Sequence, residues 1–288
     1  MKMANPGITF PAPAGAAVAP IGSPISEADV AVGCVDVISP GSRIAKLITE
    51  FPLTLRRRKA GDYLFRSGAD FHFFYVLNAG FVKTCHVSED GREQTAGIHL
   101  RGDILGLDAV ATGTYCCDAV ALDTCDVLAV PYDIVIARSA GNPDLIRELY
   151  HAFSTEIRSD RELMLTMRSL PADGRVASFL LEMSFRFASR GFSATELQLR
   201  LTRQEIGSML GLKLETVSRA FSRFARLGLI SVCLREIVLL ERAGLLDIIA
   251  QRGVKNPSAR KLAQMDSQVH VACFPILPPS GVMTYEPC

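Results

Sequence analysis

Residues 201–230, LTRQEIGSMLGLKLETVSRAFSRFARLGLI, constrain the fold more tightly than any other stretch of this chain. Thr202 followed three residues later by Glu205 is a capping box, in which hydroxyl and carboxylate each satisfy a backbone N–H at the start of a helix. Ile206, Met209 and Leu210 give that helix an inner face. Gly211 supplies a tight turn, and a second helix follows with apolar positions at Leu214, Val217, Phe221, Phe224 and Leu227 before Gly228 ends it. Two short helices joined by a Gly-containing turn make a helix-turn-helix, the unit whose second helix enters the major groove of DNA.

On that second helix Glu215, Ser218 and Arg219 stand at i, i+3 and i+4, so one face carries all three. Arg can bond bidentately to guanine, Glu can accept from cytosine N4, and Ser can serve in either role. A plain surface Glu–Arg pair would have the same spacing, but it would not account for the capping box and the turn beside it. Thr202, Arg203, Lys213, Arg223 and Arg226 are the candidate phosphate contacts. The formal net charge is only +1, yet residues 169–235 hold ten Lys or Arg against five Asp or Glu, the local excess that phosphate contact favours. Two apolar runs, 229–233 and 237–240, then flank Leu234-Arg235-Glu236 and predict a wing hairpin whose turn lacks Gly.

Upstream the texture is different. Short apolar runs at 63–65, 73–77, 82–86, 95–100, 118–122 and 127–130 alternate with Gly61-Asp62, Gly68, Gly80, Asp90-Gly91 and Gly102-Asp103. Such punctuation marks an antiparallel β sandwich, roll or barrel, with Asp90-Gly91 the best hairpin turn. After Pro131 the period lengthens. Asn142-Pro143-Asp144 can start a helix, and Ile146, Tyr150, Phe153, Ile157, Asp160, Met164 and Met167 follow in heptad steps until Pro171. A helix linking two domains finds its burial most readily against a second copy of itself, which makes these residues a candidate dimer seam. Asp160 facing its twin there would repel it and weaken the dimer. A further amphipathic helix runs through Val176, Phe179, Leu180, Met183 and Phe187 to Gly191.

The predicted architecture is therefore α+β. It comprises a flexible extension (1–40), an antiparallel β-roll (41–141), a dimerisation helix (142–170), a winged helix-turn-helix (171–252) and a disordered tail (253–288) that is rich in Pro.

Composition narrows the class. The eight cysteines do not form the framework of a small secreted domain, and no stretch reaches 18 uninterrupted apolar residues, so a cytoplasmic protein without membrane contact is expected. None of the five His sits in a metal-binding or triad-like motif, and there is no Walker or dinucleotide glycine loop, which argues against an enzyme. Cys116, Cys117 and Cys125, with Cys85 on a neighbouring strand, are candidate redox-sensing thiols; small buried apolar side chains are the plainer reading. Cys85-His86 also hints at haem or metal ligation.

These segments resemble the Crp/Fnr family, on its anaerobic fumarate-and-nitrate-reduction branch. The likeness runs from about Leu47 to Ile249 through HLRGDILGLDAV at 99–110, STEIRSDRELM at 154–164, FASRGFS at 187–193 and the segment at 201–219. It implies a homodimer that binds double-stranded DNA at a two-fold TTGAT-N4-ATCAA-like site and works with RNA polymerase on anaerobic or redox-related genes. It also exposes departures. The branch's [4Fe–4S] cluster needs several N-terminal cysteines and one in the β-roll; here only Cys34 lies N-terminal, and Leu128 stands at the β-roll position, so no such cluster is expected. Cyclic AMP is not expected either, because the stretch 113–118 lacks the phosphate-clamping Arg-Ser and adds Asp118. Lys213 stands where relatives often place a capping Ser or Thr.

Overall fold

A computed structural model describes residues 53–250 together with the backbone of a strand at 29–32. The rest of the N-terminal extension, the 253–288 tail, Cys34, Cys273 and Cys288 lie outside the described residues.

The apolar alternation of the N-terminal half folds into two antiparallel sheets. One has the order β1 (Asp29–Val32), β2 (Leu53–Arg58), β9 (Cys125–Pro131), β4 (Phe73–Ala79) and β7 (Ile104–Leu105). The other runs β3 (Tyr63–Phe65), β8 (Asp118–Ala121), β5 (Val82–Val87) and β6 (Glu93–His99). The turn at Asp90-Gly91 closes the β5–β6 hairpin as predicted, with Gly91 at φ +78°. Residues 29–32, assigned to the flexible extension from sequence, instead run antiparallel to β2 with Asp29 opposite Arg56. Val30 and Val32 alternate as a paired strand requires, a pattern too short to stand out in a Pro- and Gly-rich background.

Large side chains fill the roll. Phe65 and Tyr115 stack with ring centroids 4.0 Å apart, Phe71 and Phe74 meet edge to face, and the Tyr115 hydroxyl donates to the Phe73 carbonyl at 2.8 Å. Aromatic pairs of this kind add stability beyond the area they bury.

A short helix absent from the sequence reading, α1 (Tyr132–Ser139), follows β9. Then comes α2 (Pro143–Ser169), the predicted long helix, with the Asn142 side chain accepting from Leu145 N and Pro in its first turn. α3 (Ala172–Ala188) begins four residues before Val176, the first residue of its apolar pattern, and buries Val176, Phe179, Leu180, Met183 and Phe187. The C-terminal half adds α4 (Arg203–Leu210), α5 (Leu214–Arg226), α6 (Arg242–Ala250) and a three-stranded sheet ordered β10 (Glu196–Gln198), β12 (Glu236–Leu239), β11 (Ile230–Cys233). Its core includes Ile98 and Leu100 of the roll, with Phe81 and Leu122 packed against it, so the two halves share apolar surface.

Candidate nucleic-acid interface

The helix pair is held by the devices that its sequence announced. The Thr202 hydroxyl accepts from Glu205 N at 3.2 Å while Glu205 Oε2 accepts from Thr202 N at 2.7 Å, completing the capping box. Gly211 ends α4 at φ 63°, ψ 38°, a left-handed conformation that glycine adopts without penalty. Gly207 meets a second constraint: a Cβ there would lie 2.7 Å from the Leu212 carbonyl oxygen, so any other residue would push the turn away from the helix. Arg175, from α3, fixes the arrangement by donating to the carbonyls of Leu170 (2.9 Å) and Leu210 (3.1 Å).

α5 buries Val217, Ala220, Phe221 and Phe224 against the domain core. Leu214 and Leu227, assigned to the same inner face from sequence, are exposed. They stand at the two ends of the helix, past the edge of the surface that covers its middle. The opposite face presents Glu215 and Arg219 to solvent with Ser218 half-buried between them, and Arg219 Nε donates to the Glu215 carbonyl at 3.3 Å. Lys213 occupies the N-cap of α5 without a side-chain hydrogen bond to the helix, and it is exposed.

The five candidate phosphate contacts do not share one environment. Thr202, Lys213 and Arg226 are exposed. Arg203 is half-buried, its guanidinium carbon 3.5 Å from the centroid of the Phe221 ring, and burial holds its pKa below the ordinary value. Arg223 is exposed and donates to Asp173, in the first turn of α3, at 2.5 Å. A phosphate would have to compete with those partners.

The wing forms although its turn lacks glycine. Cys233 pairs with Glu236, and Leu234 between them takes φ 55° while its side chain stays exposed. β10 adds a third strand that the sequence did not reveal, pairing Leu197 with Ile237.

Contacts between the helix-turn-helix and the roll also went unseen. Lys83 Nζ donates to Glu93 at 2.5 Å and to Glu205 Oε1 at 2.7 Å, so the capping-box carboxylate is shared with the roll. Burial works to lower the Lys83 pKa, but the bonds to Glu205 and Glu93 outweigh it and hold it above the ordinary value. Ser208 Oγ accepts from Thr95 N at 2.9 Å, satisfying an amide of the edge strand β6.

On α2 the heptad residues divide. Tyr150, Ile157 and Met164, seven apart, are 69%, 50% and 51% exposed. Ile146, Phe153 and Met167 are half-buried, with Phe153 packed on the roll core. Asp160 is exposed as a whole, yet neighbouring atoms displace enough water from its carboxylate that this desolvation, with the Asp108 carboxylate adding to it, pushes its pKa up.

The cysteines are gathered only in part: Cys85 lies beside Cys117, as the sequence suggested, but Cys125 does not join them. Cys85 and Asp118 are opposite each other, which puts Cys117 at one end of β8. Cys125 lies at the other end, its thiol donating to the Asp123 carbonyl at 3.5 Å. The length of β8 intervenes, on the order of 13 Å at strand rise, well beyond disulfide reach. Closeness in numbering hid this, because the whole of β8 runs between the two. Cys85, Cys117 and Cys125 are buried, and burial pushes the three thiols up to about 11, 12 and 12. That is the reverse of what a reactive thiolate needs. Cys116 is exposed. Among the described residues no group of three or more His, Cys, Asp or Glu could hold a metal ion.

The residues at the two ligand positions of related proteins also fit poorly. Leu128, at the β-roll cluster position, is fully buried between Leu55 and Val76 on neighbouring strands, a core side chain and no donor. In the stretch 113–118, Tyr115 is buried against Phe65, and Asp118 Oδ1 accepts from Ser67 N at 2.7 Å. A carboxylate held in that place opposes a cyclic phosphate.

A β-roll, a long connecting helix and a winged helix-turn-helix whose second helix has an exposed polar face define a DNA-binding transcription regulator. Residues 55–137 match the cyclic nucleotide-binding domain and residues 174–248 the Crp-like helix-turn-helix domain. The chain belongs to the Crp/Fnr family of transcription regulators. It is 41% identical over 186 residues to the transcriptional activator protein anr of Pseudomonas aeruginosa, covering 65% of this chain and 76% of that one. The anaerobic regulatory protein of Haemophilus influenzae is 36% identical over 67% of this chain and 75% of its own length. Among solved structures, FixK2 from Bradyrhizobium japonicum is similar with a TM-score of 0.63 and 29% identity, over 69% of this chain and 98% of that one. Among the described residues no helix is long and apolar enough to cross a membrane.

Proposed function

We propose that the protein binds DNA as a homodimer at a two-fold TTGAT-N4-ATCAA-like site, with Glu215, Ser218 and Arg219 reading base edges. The observation that carries this reading is the placement of Glu215 and Arg219 in solvent on one face of α5 while its other face is buried. Thr202, Lys213 and Arg226 are the readiest phosphate contacts; Arg203 and Arg223 join them by giving up Phe221 and Asp173. The exposed stripe of Tyr150, Ile157 and Met164 supplies the seam for the second copy, with Ile146, Phe153, Asp160 and Met167 beside it. Two-fold symmetry in the protein calls for two half-sites one helical turn apart.

The relative named as an anaerobic regulatory protein supports target genes of anaerobic or redox metabolism, and membership of the Crp/Fnr family supports control of transcription through RNA polymerase. A redox role for Cys116, Cys117 and Cys125 has less support, given the distance between Cys117 and Cys125 and the raised thiols. The test is a gel shift of the purified full chain on a TTGAT-N4-ATCAA duplex and on a scrambled duplex of the same composition. Retention of the palindrome at far lower protein concentration supports the reading, and equal retention of both removes it.

A further inference from the structure

The roll and the wing enclose a cleft of about 830 Å³, within the range of small-molecule sites. The roll contributes Asn78 and Phe81; α3 and the segment after it contribute Phe187 and Phe192; the wing sheet contributes Glu196 and Glu236. Three aromatic rings line it in succession. Phe81 and Phe187 have centroids 6.0 Å apart, and Phe187 and Phe192 are 5.9 Å apart. Phe192 is 53% exposed.

The polar groups narrow the occupant. Asn78 is only 9% exposed, and its Oδ1 has no hydrogen-bond partner among the described residues. A buried acceptor left unpaired is costly, and Asn78 lines the cleft, so a ligand N–H reaching Oδ1 would satisfy it. Glu196 and Glu236 are exposed carboxylates on neighbouring strands, against the single Arg101 among the lining residues. That balance disfavours an anion and suits a neutral or cationic molecule.

We propose that this cleft is the regulator's effector site and takes a flat aromatic amine. The ring lies along Phe81, Phe187 and Phe192, and the N–H donates to Asn78. Because one wall belongs to the roll and the other to the DNA-binding domain, occupancy would fix the placement of one relative to the other. The effector role rests on the DNA-binding reading above; the binding itself does not.

The probe is N-phenyl-1-naphthylamine, a neutral aromatic amine whose emission rises in apolar surroundings, titrated into the full-length protein. The expected result is a saturable signal with one site per chain. Phe192→Ser, at a half-exposed position, and Asn78→Leu should each weaken it about tenfold or more. If Asn78→Leu fails to fold, Phe192→Ser alone decides. A signal that never saturates, or equal affinity in wild type and Phe192→Ser, overturns the site. A probe that binds but leaves affinity for the palindromic duplex unchanged overturns the effector role. Failure to bind any duplex would instead sink the DNA-binding reading, while the titration still decides the cleft.

Discussion

The Arg186 guanidinium of α3 donates to the Asp103 carboxylate of the roll across 2.7 Å. The same nitrogen reaches the Ile98 carbonyl at 2.8 Å, and Arg190, one turn further on, also pairs with Asp103 while donating to the Arg101 carbonyl at 2.8 Å. Asp103 accepts in addition from Leu100 N at 2.8 Å. One carboxylate thus holds its own turn and two cations of the DNA-binding domain. Burial alone would raise the Asp103 pKa, but Arg186 and Arg190 outweigh it and hold it below the usual carboxylate value.

Asp103→Asn keeps the shape and removes the charge, leaving both guanidinium groups uncompensated at a largely covered contact. The expected loss is about 2–4 kcal/mol at neutral pH, read from urea unfolding. A depressed folded-state pKa means that the contribution is present above the unfolded value and is lost as pH falls through the folded one. The wild type should therefore shed this part of its stability below about pH 4, and Asp103→Asn should not. Equal midpoints for the two proteins at pH 7 would deny Asp103 this role.

His99 gives a second pH dependence at higher pH. Its ring lies in the roll with Nε2 3.2 Å from Thr84 Oγ1, and burial drives its pKa down to about 4, with Arg186 and Arg190 adding to the shift and Asp103 opposing it. The unfolded chain, with a pKa near 6.5, binds this proton first, so stability is full above that value and declines as pH falls from there to about 4. The full shift corresponds to roughly 3 kcal/mol. His99→Gln, which retains a hydrogen-bonding group but cannot titrate, should flatten the urea midpoint between pH 6.5 and pH 4. A slope as steep as the wild type's would assign the effect to another group.

The sequence made the helix-turn-helix readable because its signals are local. A capping box, a left-handed glycine and a polar face need no knowledge of the rest of the chain. The β-roll was legible for a related reason, since strand period and turn residues repeat along it. Weak or non-local signals were missed. α1 has no side-chain cap and follows a proline, and β10 is three residues long. The wing turn puts Leu234 at positive φ with no glycine to announce it. At the candidate site, the stacking of Arg203 on Phe221 and the pairing of Arg223 with Asp173 depend on tertiary neighbours, as does the shared use of Glu205 by Thr202 and Lys83. Proximity in numbering grouped Cys125 with Cys116 and Cys117, although the length of β8 separates Cys125 from them in space.

The α2 stripe can be tested from both directions. Ile157→Asp places a charge in the middle of the exposed apolar row and should shift the protein to monomer in sedimentation equilibrium, with little effect on the urea midpoint of the single chain. Asp160→Ala removes a carboxylate whose pKa is already raised, and facing copies of it would repel across a seam. It should tighten self-association, most clearly at low ionic strength, where such repulsion is least screened. Unchanged association in both variants would place the seam elsewhere.

Two arginines of α5 should fail in different ways. Arg219 stands beside Glu215 on the exposed face of α5 proposed to read bases, so Arg219→Ala should cost about 1–3 kcal/mol on the palindromic duplex and relax preference at one base pair per half-site. Its effect on random-sequence DNA should be small. Arg226 is exposed at the last turn of the helix, placed to meet backbone phosphate. Arg226→Ala should therefore weaken binding to specific and random duplexes alike and reduce the slope of log affinity against log salt by about one per protomer. Fluorescence anisotropy across a salt series measures both quantities. If Arg219→Ala lowers affinity for the two duplexes equally, the guanidinium is holding phosphate, and base recognition must be sought in Glu215 and Ser218.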